Sequence, residues 1–238
     1  MNRQAQGVVM LLLGGAVLKT SLTDMYLRYV KEGLRPFLVA AGAVLVVAAV
    51  MTLWYDLRRG DGEPDEADGD HAHREPQVGW MLVLPVLGLL LVAPPALGSY
   101  AAGQSGTALS TQQSSDFPPL PKGDPATITV LDYASRAVFD KGVSLRDRSV
   151  QLTGFVSTGS DGQPILARMI LTCCAADARP IKVGLSGNAP AGLAPDTWIQ
   201  VVGRYSARTV NDPVNEQTIP YLEVETWQQV DAPKEQYE

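Results

Sequence analysis

The stretch SVQLTGFVST, residues 149–158, decides the fold. Val150, Leu152, Gly154 and Val156 fall on one side of a period of two, which is the side-chain alternation of a β-strand and not the 3.6-residue period of a helix. Glycine at 154 interrupts an otherwise apolar face, and a strand coils most easily where it carries no Cβ. Four further windows carry strand signals and are separated by Gly, Pro, Asp and Asn: PILARMILTCC (164–174), RPIKVGL (179–185), TWIQVVGRYSAR (197–208) and PYLEVETWQQV (220–230). The window 197–208 has its own mid-strand glycine, Gly203. Five short strands with internal glycines predict a small, strongly bent barrel of the oligonucleotide/oligosaccharide-binding type. The stretch GLSGNAPAGLAPD (184–196), where that fold often carries a helix, has no strong helical pattern.

Just upstream, TITVLDYASRAVFD places Val130, Leu131, Ala134, Ala137 and Val138 on one helical face. Thr129, three residues before Asp132, is a capping residue for its start. A short leading helix is expected from about Val130 to Asp140. The barrel domain is assigned to 127–238. Residues 101–126 are rich in Ser, Thr, Gln, Gly and Pro and read as a linker.

The first hundred residues have a different texture and read as a transmembrane anchor, residues 1–100. Three apolar blocks predict helices at about 7–22, 36–56 and 80–98. The second has about the 20 apolar residues that a bilayer demands, with Trp54 and Tyr55 at its end and Arg58 and Arg59 beyond. The first is short, and a signal peptide is its rival reading; the want of a small-x-small cleavage site and the immediate second block favour a retained helix. No block contains an acidic residue, the second being apolar from Pro36 to Tyr55, so the chain alone reads as an anchor rather than a pore. Arg58 and Arg59 against the second block, and the lack of Lys and Arg from Ser99 to Pro121, predict a multi-pass chain with its amino terminus inside and its barrel outside the cytoplasm. The fold class is therefore α+β and membrane-anchored.

The loop at 57–78 is acidic, with six acids and no base from Asp61 to Asp70, followed by His71 and His73. A solvated spacer is the plainer reading of this run; loose divalent-ion binding at the two histidines is the other. The net charge of −6 argues against a nucleic-acid partner. With no histidine beyond His73, a Ser-His-Asp arrangement in the barrel is excluded, and no phosphate-cradling loop is present. An enzyme is not expected.

Cys173 and Cys174 are the two cysteines of the chain, with Asp177 close behind. Three readings stand. On a strand, neighbouring side chains point to opposite faces, so, unless a bulge or strand end intervenes, one cysteine would be a small core residue and the other would face out. A bond between the two would close a strained, labile eight-membered ring and act as a redox switch. A thiolate with the Asp177 carboxylate would make an incomplete site for zinc or a softer ion.

The sequence LDYASRAVFD, the stretch GFVS and above all ARMILTCCAADARP (167–180) resemble a bacterial YcgQ-like membrane family, whose members are described as permease subunits of unknown biochemical function. The resemblance implies a multi-helix permease partner in the same membrane and a link to metal homeostasis, with zinc the named candidate. The motif positions carried over are Cys173, Cys174 and Asp177, as ligand or redox residues, and Gly154, Phe155 and Val156, as structural ones. The expected function is a membrane-anchored accessory subunit whose barrel binds or gates a substrate. An independent thiol- or metal-responsive envelope sensor is the alternative.

Overall fold

The computed structural model describes residues 3–59, 95–109, 117–159 and 162–238, together with positions 84, 87–88 and 91–92. The chain divides into two compact units. One comprises Met1–Tyr26 and Glu32–Pro95, the other Leu27–Lys31 and Ala96–Glu238.

In the first unit, α1 (Arg3–Ser21) and α2 (Arg35–Arg59) pack against each other. Small residues let their backbones meet. A Cβ on Gly14 would lie 3.1 Å from the Gly42 carbonyl oxygen, and a Cβ on Gly42 would lie 3.3 Å from that of Gly14. Ala5 and Ala49 are buried. The hydroxyls of Thr20, Ser21 and Thr52 donate to carbonyls four residues back, so these apolar helices leave none of the three unpaired. Arg35 Nε donates to the Ser21 carbonyl and caps the end of α1. The helix Glu32–Arg58 is long and apolar enough to cross a membrane, whereas the apolar Ala5–Ser21 is shorter. The outer face of α2 remains apolar, with Phe37, Val44, Val47 and Met51 exposed. Most of the third apolar block, 80–98, and of the acidic loop, 57–78, lies outside the described residues.

The second unit is a closed five-stranded barrel with one added strand. The strands are β1 (Ala126–Thr127), β2 (Val150–Thr158), β3 (Pro164–Ile170), β4 (Arg179–Gly187), β5 (Trp198–Asn211) and β6 (Thr218–Gln229). Their order is β1-β2-β3-β4-β6-β5, and pairing of β5 with β2 closes the ring. β4 and β6 run parallel, as do β1 and β2; the other pairs are antiparallel. Gly154 and Gly203 are what closure requires. A Cβ on Gly154 would lie 2.6 Å from the Ala167 carbonyl oxygen, and one on Gly203 would collide with the Glu223 carbonyl. The β5–β6 register shifts at Val202/Gly203, where the strand bends.

The core is built from the inward residues of the strands: Val150, Leu152, Leu166, Ile181, Val183, Leu185, Ile199, Val201 and Leu222. One end is covered by α4 (Val130–Phe139), which follows α3 (Ser99–Gln104) in the chain. Thr129 caps α4 by accepting from the Asp132 amide. Tyr133, on the same buried face, donates its hydroxyl to the Tyr221 carbonyl at 2.6 Å.

The stretch that composition reads as a linker is held against the barrel at 105–109. Thr107 is buried and its amide donates to Asp212. The Ala108 amide donates to the Pro180 carbonyl, and Lys182 Nζ reaches both the Ser105 carbonyl and Asp212 at 2.8 Å. Buried partners on β4 and beyond β5 override a composition that would otherwise be solvated.

Candidate functional site

β3 stops at Ile170, and the chain crosses to β4 through residues 171–178. The expectation that Cys173 and Cys174 lie on a strand, one in the core and one outside, is therefore corrected. Cys173 is exposed and Cys174 is half-buried, and neither belongs to the core. The cause is Asp177. Its carboxylate accepts from the Thr172 amide at 3.0 Å and the Cys173 amide at 2.8 Å, taking donors that a continuing strand would have offered to its neighbour. A single 3₁₀ turn, Ala175–Asp177, places that carboxylate, with the Asp177 amide donating to the Cys174 carbonyl.

With the alternation broken, the two thiols share a side. Their Sγ atoms are 3.7 Å apart. Together with an Asp177 oxygen, these ligand atoms all lie within 4.8 Å of one another. The Cys173 thiol donates to the Asp177 carboxylate and lies beside Cys174, and this pushes its pKa up to about 11. The reciprocal effect holds Asp177 below the usual carboxylate range, through the Cys173 thiol and then the backbone amides. The carboxylate is thus ionised and already oriented by backbone donors, as a ligating carboxylate is in a formed metal site.

Asp177 also borders a cleft of about 740 Å³ whose walls include Thr107, Thr172, Arg179, Asn215 and Gln217. On another side the loop pairs with the segment between α1 and α2. The Lys31 amide donates to the Cys173 carbonyl at 3.1 Å, and the Ala175 amide donates to the Tyr29 carbonyl at 2.7 Å. These two bonds form a one-residue antiparallel bridge between Val30 and Cys174. Tyr237 holds the start of the same segment by donating to the Arg28 carbonyl at 2.7 Å.

The other predicted positions lie elsewhere. Gly154, Phe155 and Val156 are in the wall of β2, where Phe155 meets Trp198 edge-on at 5.7 Å between ring centres. His71 and His73 fall outside the described residues. Two groups escaped the sequence reading. Arg168, in mid-strand, is buried over the Trp198 ring; its Nη2 donates to the Glu235 carbonyl at 2.7 Å, and its Nε lies 3.8 Å from Glu238. Glu238 in turn accepts from the Val130 and Leu131 amides at the start of α4, each at 3.0 Å. Burial raises the pKa of Glu238 and lowers that of Arg168. The available signal was an arginine between apolar strand residues; its partner lies 70 residues away.

Residues 137–238 match the family described as the DUF1980 C-terminal domain, an uncharacterised family. That region takes in all five barrel strands and the cysteine loop. No curated protein and no solved structure matches the chain.

Proposed function

We propose that the chain is a membrane-anchored accessory subunit of a multi-helix permease, and that its barrel stands outside the cytoplasm and binds a divalent ion as cargo through Cys173, Cys174 and Asp177. The observation that carries this reading is the clustering of two sulfurs and a pre-oriented carboxylate within 4.8 Å. Two thiolates bound at about 2.3 Å to a tetrahedral ion sit about 3.8 Å apart, whereas a linear two-coordinate ion would hold them about 4.6 Å apart. The separation of 3.7 Å favours the tetrahedral, zinc-type case. Three protein ligands leave a fourth position for water or a receiving group, which suits an ion that is taken up and passed on. The strand order, with β4 and β6 parallel, supports an oligonucleotide/oligosaccharide-binding-type barrel. The apolar α2 supports an anchor in the bilayer. The permease partner and the multi-pass arrangement rest on the resemblance to the YcgQ-like family and on the charge pattern.

The test is metal content. Full-length protein in mild detergent is exposed to zinc and desalted. The wild type is expected to keep about one ion per chain, and Cys173→Ser and Cys174→Ser to lose it. Equal metal in all three removes the cargo reading. Affinity should fall as pH falls, because the ion displaces the Cys173 proton. A permease present in the same membrane should co-purify with the tagged chain; recovery of the chain alone ends the subunit reading.

The second reading, an independent thiol-responsive sensor, is favoured by the contact between two accessible sulfurs. Labelling of Cys173 and Cys174 before and after mild oxidant separates the two readings, since a pair that oxidant leaves unchanged excludes the sensor.

A further inference from the structure

Two of the hydrogen bonds that fasten residues 28–31 straddle the two cysteines. The Lys31 amide is held by the Cys173 carbonyl, and the Tyr29 carbonyl is held by the Ala175 amide. The Cys173 carbonyl belongs to the peptide that joins the cysteines. Any reaction that turns this peptide moves the acceptor away from Lys31. An ion bound between the sulfurs does not demand this, because their present separation of 3.7 Å already suits it. A disulfide does. It brings the sulfurs to about 2.0 Å and encloses the peptide in an eight-membered ring.

We propose that Cys173 and Cys174 form a redox modification site whose closure releases the Lys31 amide from the Cys173 carbonyl, whereas the reduced or metal-bound pair keeps that bond. The proposal deepens the reading of these residues as working thiols and rests on it. The oxidant is a small organic disulfide. One cysteine thiolate attacks it, forming a mixed disulfide and expelling one thiolate. The second cysteine then attacks the first cysteine's sulfur and expels the other. Two cysteine protons end on the two released thiols, and the two electrons lost by the pair reduce the oxidant's S–S bond. Lys31 lies between α1 and α2 in the chain, so oxidation loosens one end of the connection between these helices. Tyr237, which donates to the Arg28 carbonyl and accepts from the Leu97 amide, holds the far end of the segment independently of the sulfurs.

The experiment is amide hydrogen exchange on full-length protein in detergent, read on peptides covering residues 27–32 and 171–178. Samples are reduced, zinc-loaded, or treated with oxidised glutathione until the mass shows an internal disulfide without adduct. The Lys31 amide is expected to be protected in the reduced and zinc-loaded samples. It should exchange at least about tenfold faster after ring closure and recover on reduction with a phosphine. The double variant Cys173→Ala/Cys174→Ala should keep its protection under oxidant. Unchanged protection in the closed form overturns the proposal, as does persistence of a mixed disulfide without closure, or an oxidant response in the double variant. Metal content of the zinc-loaded sample is measured in parallel. Loss of the latch with zinc still bound leaves the cargo reading standing, and a responsive latch without zinc binding removes the cargo reading alone.

Discussion

Replacing Asp177 with asparagine should make Cys173 more reactive, and the size of the effect follows from the loop. The hydrogen bond from the Cys173 thiol to the Asp177 carboxylate is the largest cause of the rise in the thiol's pKa from an ordinary value near 9 to about 11. At pH 8 that rise cuts the thiolate fraction about a hundredfold. A more basic thiolate is also the better nucleophile; with a Brønsted slope of about 0.4–0.5, two pH units return about a factor of ten. The net suppression is about tenfold, and solvent screening at this exposed loop narrows it to roughly three- to tenfold. Asparagine removes the charge and keeps an oxygen acceptor for one of the two amides, since Thr172 donates to Oδ1 and Cys173 to Oδ2. In a Cys174→Ser background, the rate of Cys173 with an aromatic disulfide reagent should therefore rise three- to tenfold at pH 8 on Asp177→Asn (about the ratio above). The pH midpoint of the reaction should fall toward its ordinary value. The sign with respect to stability is opposite to that of a paired acid. A raised thiol pKa stabilises the loop below about pH 9, and that contribution is lost as pH climbs through about 11. A rate that is unchanged or lower in Asp177→Asn refutes the reasoning.

Four other outcomes are expected. Gly154→Val would force a Cβ to within 2.6 Å of the Ala167 carbonyl, so the β2–β3 pairing must open; a loss of about 1–3 kcal/mol should appear in denaturant unfolding. Lys182→Met leaves the Asp212 carboxylate buried without its cation, which should cost about 3–5 kcal/mol and free residues 105–109 to limited proteolysis. Burial pulls the Asp212 pKa up, but Lys182 and the Val214 and Thr107 amides outweigh it and leave it below the ordinary value of 3.8. The stabilisation from that group is accordingly present above about pH 4 and is lost on acidification below it, in a titration followed by unfolding temperature. Gly42→Leu should separate α1 from α2, since even a Cβ would come within 2.9 Å of Leu18. Disulfide trapping between cysteines placed on facing turns of the two helices, efficient in the wild-type background, should then fail.

Much of this architecture is written locally. The alternation at 150–156, the strand windows that follow and the mid-strand glycines are short-range signals, and they specify a bent five-stranded barrel because side-chain period and glycine placement act within a few residues. The Thr129 cap and the apolar face of α4 are equally local. The uninterrupted apolar run of α2 can be recognised from its length alone. The candidate ligands Cys173, Cys174 and Asp177 were visible as residue types at close spacing. Their geometry was not, because alternation argued for opposite faces. That depended on where the Asp177 carboxylate found its donors, and a side chain reaching back four and five residues outcompeted strand continuation. Three features rest on partners far apart in sequence and became apparent only in the folded chain: the clasp of Lys182 and Asp212 on residues 105–107, the capping of α4 by Glu238, and the bridge from Val30 to Cys174. Composition and periodicity measure what a residue prefers near its neighbours in the chain. They do not say which buried charge or open backbone pair closure of the barrel will bring against it.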